Sequence, residues 1–248
     1  MRVDVYFGTH GIASADVQGR VVVVIDVLRA STTIAVALSN GARAVIPFES
    51  SEEAVSRSKS FERGDYKLAG ERRNLMIPGF DLGNSPREYT REAIEGKSIL
   101  FTTTNGTGAL VAVQQAHEVL VGAFVNCTAI SAMVRAAARA RRDIAIVAAG
   151  SDRHFSLEDA VCAGRFVRAI RRGRAETELN DAAAAVLLLE RKYGNDIPRL
   201  FGDATHGRAL SEAGFAEDLV ICAQLDGYPV VPVYQDRQVT KLGPDRER

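Results

Sequence analysis

Five consecutive β-branched apolar residues, Val21 to Ile25, run directly into an aspartate, Asp26. An unbroken apolar run of this kind is what a strand covered on both faces requires, because a strand with one wet face alternates. Ser98–Thr102 and Ile144–Ala148 have the same shape, and each breaks into small and polar residues before a helix-like segment. Covering both faces takes helices on both sides, which commits the chain to a three-layer α/β/α fold around a largely parallel, mixed sheet.

The remaining pattern fits that frame. Strands are expected at Val3–Phe7, Val21–Ile25, Ala44–Pro47, Lys67–Ala69, Ser98–Thr102, Val119–Ala123, Ile144–Ala148 and Val230–Tyr234. Helical spacing of apolar residues predicts helices over Ser31–Asn40, Ser51–Phe61, Thr107–Gln115, Ala129–Ala140, Leu157–Arg172 and Asp181–Tyr193, with Gly41 and Gly194 as C-terminal stops. Gly70–Tyr89, rich in Gly, Pro and Asn, reads as a long ordered loop of the kind that carries function. Residues 1–248 read as one domain; the echo between Gly19–Asp26 and Gly96–Thr103 raises two similar βα halves meeting near 90–96 as the alternative. The polar last residues, Gly243–Arg248, are expected to fray.

Charge excludes several functions. Acidic and basic residues balance at 31 each, so no global field favours nucleic acid or an anionic membrane, and any anion site must be local. No apolar signal core follows Met1 and no apolar run is long enough to span a membrane, so a cytoplasmic protein is expected. Cys127, Cys162 and Cys222 lack metal-type spacing and are expected as buried thiols, and the sequon at Asn126-Cys127-Thr128 is expected to be accidental. A homodimer is the commonest prior for assembly.

Ligands of open α/β sheets sit beyond the carboxyl ends of strands, which directs attention to three strand endings. The first, Asp26-Val27-Leu28-Arg29-Ala30-Ser31-Thr32-Thr33, offers a carboxylate for metal binding or attack, a guanidinium for bidentate phosphate contact and hydroxyls at a helix start. The plain alternative is that Ser31 caps a helix and Asp26 pairs with Arg29. In the second, Thr102–Gly108, small residues including Thr104, Asn105 and Gly106 let backbone amides approach an anion, or simply form a tight turn; P-loop and dinucleotide fingerprints are both missing. The third, Gly150–Asp159, crowds Ser151, Asp152, Arg153, His154, Glu158 and Asp159 around a helix start, where Mg²⁺ would find its one or two carboxylates. Capping-box spacing from Ser156 to Asp159 is the competing account, and it explains Asp159 better than Glu158. Glu71, Arg72 and Asn84 in the long loop offer a second anion contact, or surface salt bridges and a turn.

Two superficial matches carry little. Cys162 and Arg168 have Cys-x5-Arg spacing but fall in a helical segment, where no amide-lined phosphate loop can form. Asp26-Val27-Leu28 lacks the second acid of an Asp-x-Asp phosphatase motif.

In combination, Val24–Thr33, Gly70-Glu71-Arg72, Leu82-Gly83-Asn84-Ser85-Pro86, Thr102–Thr107 and Leu157-Glu158-Asp159 resemble the 2-phosphosulfolactate phosphatases over most of the chain. The resemblance implies Mg²⁺-dependent hydrolysis of (2R)-phospho-3-sulfolactate to 3-sulfolactate and phosphate, a step toward coenzyme M in methanogens and sulfolactate in bacteria. It implies a phosphoric monoester hydrolase acting on a small anionic phosphoester, not on nucleic acid or a membrane. Asp26, Arg29 and Asn105 are then the catalytic candidates; Asp26, Glu158 and Asp159 the metal candidates; Ser31, Thr32, Glu71, Arg72, Asn84, Thr104, Gly106 and Ser151 the substrate-binding candidates. Another phosphorylated hydroxy acid as substrate, or non-catalytic anion binding, are the alternatives.

Overall fold

The computed structural model describes residues 1–10, 12–151, 154–172 and 176–243. Among these residues the strands are β1 (Arg2–Phe7), β2 (Val21–Ile25), β3 (Ala44–Pro47), β4 (Tyr66–Arg72), β5 (Leu75–Met76), β6 (Ser98–Thr102), β7 (Glu118–Gly122), β8 (Ile144–Ala148), β9 (Glu178–Leu179), β10 (Pro232–Gln235) and β11 (Gln238–Lys241). The helices are α1 (Ser14–Val17), α2 (Ala30–Ser39), α3 (Ser51–Ser58), α4 (Arg91–Ile94), α5 (Gly106–Ala112), α6 (Cys127–Arg139), α7 (Leu157–Arg171), α8 (Asp181–Tyr193), α9 (Ile197–Asp203), α10 (Thr205–Glu212) and α11 (Ala216–Cys222).

The strands form one continuous mixed sheet in the order β5-β4-β6-β3-β11-β10-β7-β2-β8-β1-β9. Parallel pairing joins β4 to β6 to β3 at one end and β7 to β2 to β8 to β1 at the other. The antiparallel hairpin β10–β11 bridges the two groups. Both faces of β2 are buried, as its unbroken apolar run demands: Val21, Val23 and Ile25 pack with Phe124, Phe166, Val186 and Phe201, whereas Val22 and Val24 pack with Ile34, Phe101 and Leu110. The alternation expected of a strand is therefore present, and it separates one dry core from another.

Several expectations need correcting. The long loop begins inside a strand: β4 runs to Arg72, turns through Arg73 and Asn74 at φ 52° and 68°, and returns as β5. Two central residues at positive φ make this a type I′ hairpin, a geometry that Asn favours at no glycine's expense. Gly41 is a left-handed stop at φ +96°, but Gly194 is not, because it keeps a right-handed conformation and its missing side chain instead makes room for Glu190. Helices α9, α10 and α11 and strand β11 lie where no element was expected. Residues Asp152 and Arg153 of the third strand ending, and 244–248 of the terminus, fall outside the described residues. All three cysteines are buried and free, and no helix among the described residues is long and apolar enough to cross a membrane.

Strand order alone would separate the ends of β2 and β6 by five inter-strand steps, roughly 24 Å in a flat sheet. Yet a Cβ placed on Gly106, just past β6, would lie 2.6 Å from the Asp26 carboxylate just past β2. Sheet curvature and the segments following the strands thus bring the polar endings together.

Candidate active site

Asp26 stands at the tip of β2 in a turn that closes on itself. Its amide donates to Ser31 Oγ at 2.9 Å, its carbonyl accepts from the Ser31 amide at 2.8 Å, and its Oδ1 accepts from the Ala30 amide at 3.2 Å. The Thr32 hydroxyl donates to the Val27 carbonyl at 2.9 Å, and that of Thr33 to the Asn84 carbonyl at 2.9 Å. Ser31 and Thr32 are both buried and build the turn that presents Asp26.

Arg29 does not pair with Asp26. Its guanidinium, 2% exposed, donates to Asp218 Oδ2 at 2.6 Å and to the Asn74 carbonyl at 3.0 Å, and stacks over the Phe215 ring at 4.2 Å. Asp218, 1% exposed, also accepts from the Ser85 hydroxyl at 2.7 Å. Strand end, hairpin and α11 are thereby tied to one buried cation, whose orientation is set before any ligand arrives.

The β4–β5 hairpin supplies the next wall. Glu71 is buried, and its two oxygens accept from the amides of Asn74 and Thr104 at 2.9 and 2.8 Å. Arg72 donates to the Glu71 carbonyl at 2.8 Å and to Thr102 Oγ1 at 2.9 Å, and makes no ion pair among the described residues. Gly70 permits this crossing, because a Cβ there would collide with the Thr102 carbonyl. The amides of Asn105 and Gly106 find no acceptor among the described residues, and Asn105 heads α5 without a side-chain cap bond. Asn84 is 5% exposed and its Oδ1 is buried without a partner, the state expected of a group held for a ligand.

The first turn of α7 completes the cluster with two carboxylates in different employment. Asp159 binds backbone: its oxygens accept from the amides of Val27 at 2.8 Å and Gly150 at 3.2 Å, and its own amide is capped by Ser156. It latches the ends of β2 and β8 together. Glu158, 2% exposed, lies against His206, with Nδ1 at 3.5 Å, while His206 Nε2 lies 3.3 Å from Asn74 Oδ1. Ser151 pairs its backbone with His154, and its side chain is half-buried.

Electrostatics confirm that these groups share one field. Burial pushes Asp26 up to about 6, with the charges of Glu71 and Glu158 adding to the rise and His206 and the Ala30 amide opposing it. Burial also drives Asp159 well above the carboxylate range, helped by Glu158 and Asp26 and opposed by its two amides. Burial alone would lower His206, but its contact with Glu158 and the charge of Asp26 outweigh that and raise it. An acidic cluster with displaced titrations, flanked by fixed guanidinium groups, is equipped to bind a cation and a phosphate together.

Among the described residues no three His, Cys, Asp or Glu side chains form a self-contained metal cage. What the donors do offer is narrower. Both oxygens of Glu71 and of Asp159 accept from backbone amides, whereas among the described residues Asp26 Oδ2 has no hydrogen-bond donor and Glu158 has only the His206 contact. Two carboxylates beside a phosphate site fit Mg²⁺, which fills its other positions with water and substrate oxygens.

The profile of the family described as 2-phosphosulpholactate phosphatase matches residues 7–237. The chain belongs to that family. It is accordingly a phosphoric monoester hydrolase by family. A "Probable 2-phosphosulfolactate phosphatase" of Caldanaerobacter subterraneus subsp. tengcongensis is 40% identical over 232 residues, covering 94% of this chain and 95% of the relative. One from Symbiobacterium thermophilum is 41% identical over 227 residues (92% and 96%), and one from Clostridium acetobutylicum 34% over 239 residues (96% and 100%).

For a 2-phosphosulpholactate phosphatase family member, the residues that escaped prediction are informative. His206, Phe215 and Asp218 all lie on α10, α11 or the turn between them, and they hold Glu158 and Arg29. The available signal was Asp196-Ile197-Pro198, an N-cap with proline in the first turn, which marks α9. The decoys resolve as expected: Cys162 is fully buried in α7 with its thiol pushed well above the usual range by burial. Asn126 uses its amide group on the Ala123 amide and the Val121 and Val230 carbonyls.

Proposed function

We propose that the protein hydrolyses (2R)-phospho-3-sulfolactate to 3-sulfolactate and phosphate with Mg²⁺ bound at Asp26 and Glu158. The observation carrying this reading is the division of labour among four buried carboxylates: Glu71 and Asp159 are held by backbone amides on both oxygens, whereas among the described residues Asp26 is held on one and Glu158 on neither. Bound Mg²⁺ would supply charge neutralisation at the phosphoryl oxygens. Arg29, immobilised by Asp218 and Phe215, orients the phosphoryl group, with the amides of Asn105 and Gly106 as further donors. Arg72, lacking a carboxylate partner, receives the sulfonate or carboxylate end of the substrate, and Asn84 offers its unpartnered Oδ1 to a hydroxyl or bound water. His206, whose titration is raised by its contact with Glu158 and the charge of Asp26 against the effect of burial, is the candidate proton donor to the departing oxygen.

The test is phosphate release from 2-phospho-3-sulfolactate and from a panel of phosphorylated hydroxy acids, with Mg²⁺ and with chelator. Turnover of the sulfonated substrate that requires Mg²⁺ and vanishes in Asp26→Asn is expected. Release no faster than from the Asp26→Asn protein would defeat the assignment, and preference for an unsulfonated ester would defeat the substrate alone. Rapid acid quench of a single turnover separates attack by Asp26 from attack by water, since only the first forms a phosphoryl-enzyme at Asp26.

A further inference from the structure

A second concentration of charge lies away from the phosphatase site. A groove of about 880 Å³ between α6, α7 and α8 is lined by Arg135, Arg165, Arg168, Arg171, Arg172 and Arg191, with Glu190 as the one carboxylate on its wall. Glu190 pairs with Arg168 at 2.9 Å. Among the described residues no carboxylate pairs with Arg135, Arg171, Arg172 or Arg191. In a chain with equal numbers of acidic and basic residues, this is a marked local excess.

Helix chemistry explains part of it. Arg168 and Arg171 sit in the last turn of α7 and Arg191 in the last turn of α8, where cations complement the helix dipole. That account does not reach Arg135, in the interior of α6, or Arg165, further up α7. Arg165 donates to the Gly194 carbonyl and lies 5.9 Å from the Phe124 ring, yet its buried Nε has no acceptor among the described residues. A cavity of this volume is roughly 10 Å across, about one Debye length at 0.1 M salt, so guanidinium groups within it lie close enough to repel one another. A polyvalent anion removes that repulsion.

We propose that this groove is a binding site for a polyphosphate chain of two or three phosphoryl groups, free or carried by a larger molecule. The guanidinium fork matches phosphate oxygens in pairs, and several forks converging on one cavity select for more than one phosphoryl group. Thr128, Ser131 and Asn195 add neutral hydrogen-bonding groups to the wall. Among the described residues no aromatic side chain lines the groove, so they offer no platform for stacking a base, and recognition rests on the phosphoryl chain. Along α7 the site begins seven residues beyond Glu158, about 10 Å by helical rise, and extends to about 21 Å at Arg172. It is therefore distinct from the catalytic cluster.

Calorimetric titration of the full chain with sodium tripolyphosphate, in metal-free buffer at fixed ionic strength, tests the proposal. Saturable one-to-one binding is expected in the wild type and in Asp26→Asn. It should weaken at least about a hundredfold in the triple variant Arg135→Gln/Arg171→Gln/Arg191→Gln, because three charge-assisted contacts are lost. The variant's melting temperature and phosphatase turnover should stay at wild-type values; should it misfold, Arg172→Gln alone is expected to weaken binding about tenfold. Adenosine triphosphate should bind as tripolyphosphate does. No saturable binding, undiminished binding in the arginine variants, or binding lost in Asp26→Asn would overturn the proposal. So would an oligonucleotide, or a nucleoside triphosphate over its bare chain, binding much more tightly.

Discussion

Replacing Asp218 with alanine removes the partner of a guanidinium that has almost no access to water. Arg29 and Asp218 are 2% and 1% exposed and meet at 2.6 Å. Deleting one member of a buried pair costs about 3–5 kcal/mol, because the other charge stays desolvated. Arg29 would keep the Asn74 carbonyl and the Phe215 face at 4.2 Å. A desolvated cation–π contact of about 0.5–2 kcal/mol then places the loss near the lower end, about 3 kcal/mol. For 248 residues, at about 2–4 °C per kcal/mol, the melting temperature should fall by about 6–12 °C. Calorimetric or fluorescence melting reads this directly, and Asp218→Asn, which keeps an oxygen for Arg29, should fall between the two. The decisive variant replaces both partners, Arg29→Met with Asp218→Leu. A well-packed apolar pair restores much of the stability of a broken ion pair, whereas turnover should remain lost because Arg29 no longer orients the phosphoryl group. A melting shift under 2 °C in Asp218→Ala would refute the buried-pair argument, and an active double variant would remove Arg29 from catalysis.

Three further outcomes follow from the same geometry. In chelator-treated protein, Asp26 with its folded value near 6 against 3.8 unfolded binds protons more tightly when folded; its contribution opposes folding, and grows, as pH rises from about 4 to 6. Asp26→Asn should therefore melt higher than wild type at pH 7–8 by an amount worth up to about 3 kcal/mol, converging with it below pH 4, while turnover disappears; equal melting at both pH values would contradict the burial of that carboxylate. Gly106→Ala places a methyl 2.6 Å from both Asp26 Oδ2 and Ala30 Cβ, so kcat should drop about a hundredfold with the melting temperature little changed, and near-normal kcat would show that the contact is slack. Glu158→Gln should raise the Mg²⁺ concentration for half-maximal activity by about tenfold or more, against little change for Glu71→Gln, whose oxygens serve backbone amides.

Strand positions were readable because burial on both faces leaves a signature that propensity alone does not: β2, β3, β6 and β8 end where their apolar runs end. The same logic marked Asp26, which stops the run of β2 directly, while Asn105 and Glu158 were marked by the small-residue loop after β6 and the acidic helix start after β8. Their partners were not readable, for reasons that differ from case to case. The Arg73–Asn74 turn lacks the glycine that usually announces a type I′ hairpin, so Gly70–Tyr89 looked like loop throughout. Helices α9 to α11 are short and bury only two or three residues each, Asp218 among those of α11, which leaves too brief an apolar stripe for periodicity to detect. Asp159 and Glu158 are adjacent in sequence and equally buried, and only the amides of Val27 and Gly150, from two other strand ends, distinguish latch from ligand.

That last distinction explains how the fold tolerates so many buried carboxylates. Four acids within one field would repel, and each would resist burial, unless most were matched to donors that cannot leave. Glu71 and Asp159 are each matched to two backbone amides, although for Asp159 burial outweighs them and raises its titration. Asp26 and Glu158 are matched only in part, to one amide and one histidine, and the penalty appears as the raised titration of Asp26. Asp26 and Asp159 thus both resist ionisation, and of the two Asp26 has the fewer amide donors. A divalent cation there relieves the strain that burial creates, which makes affinity for the ion and readiness for phosphoryl transfer two results of one arrangement.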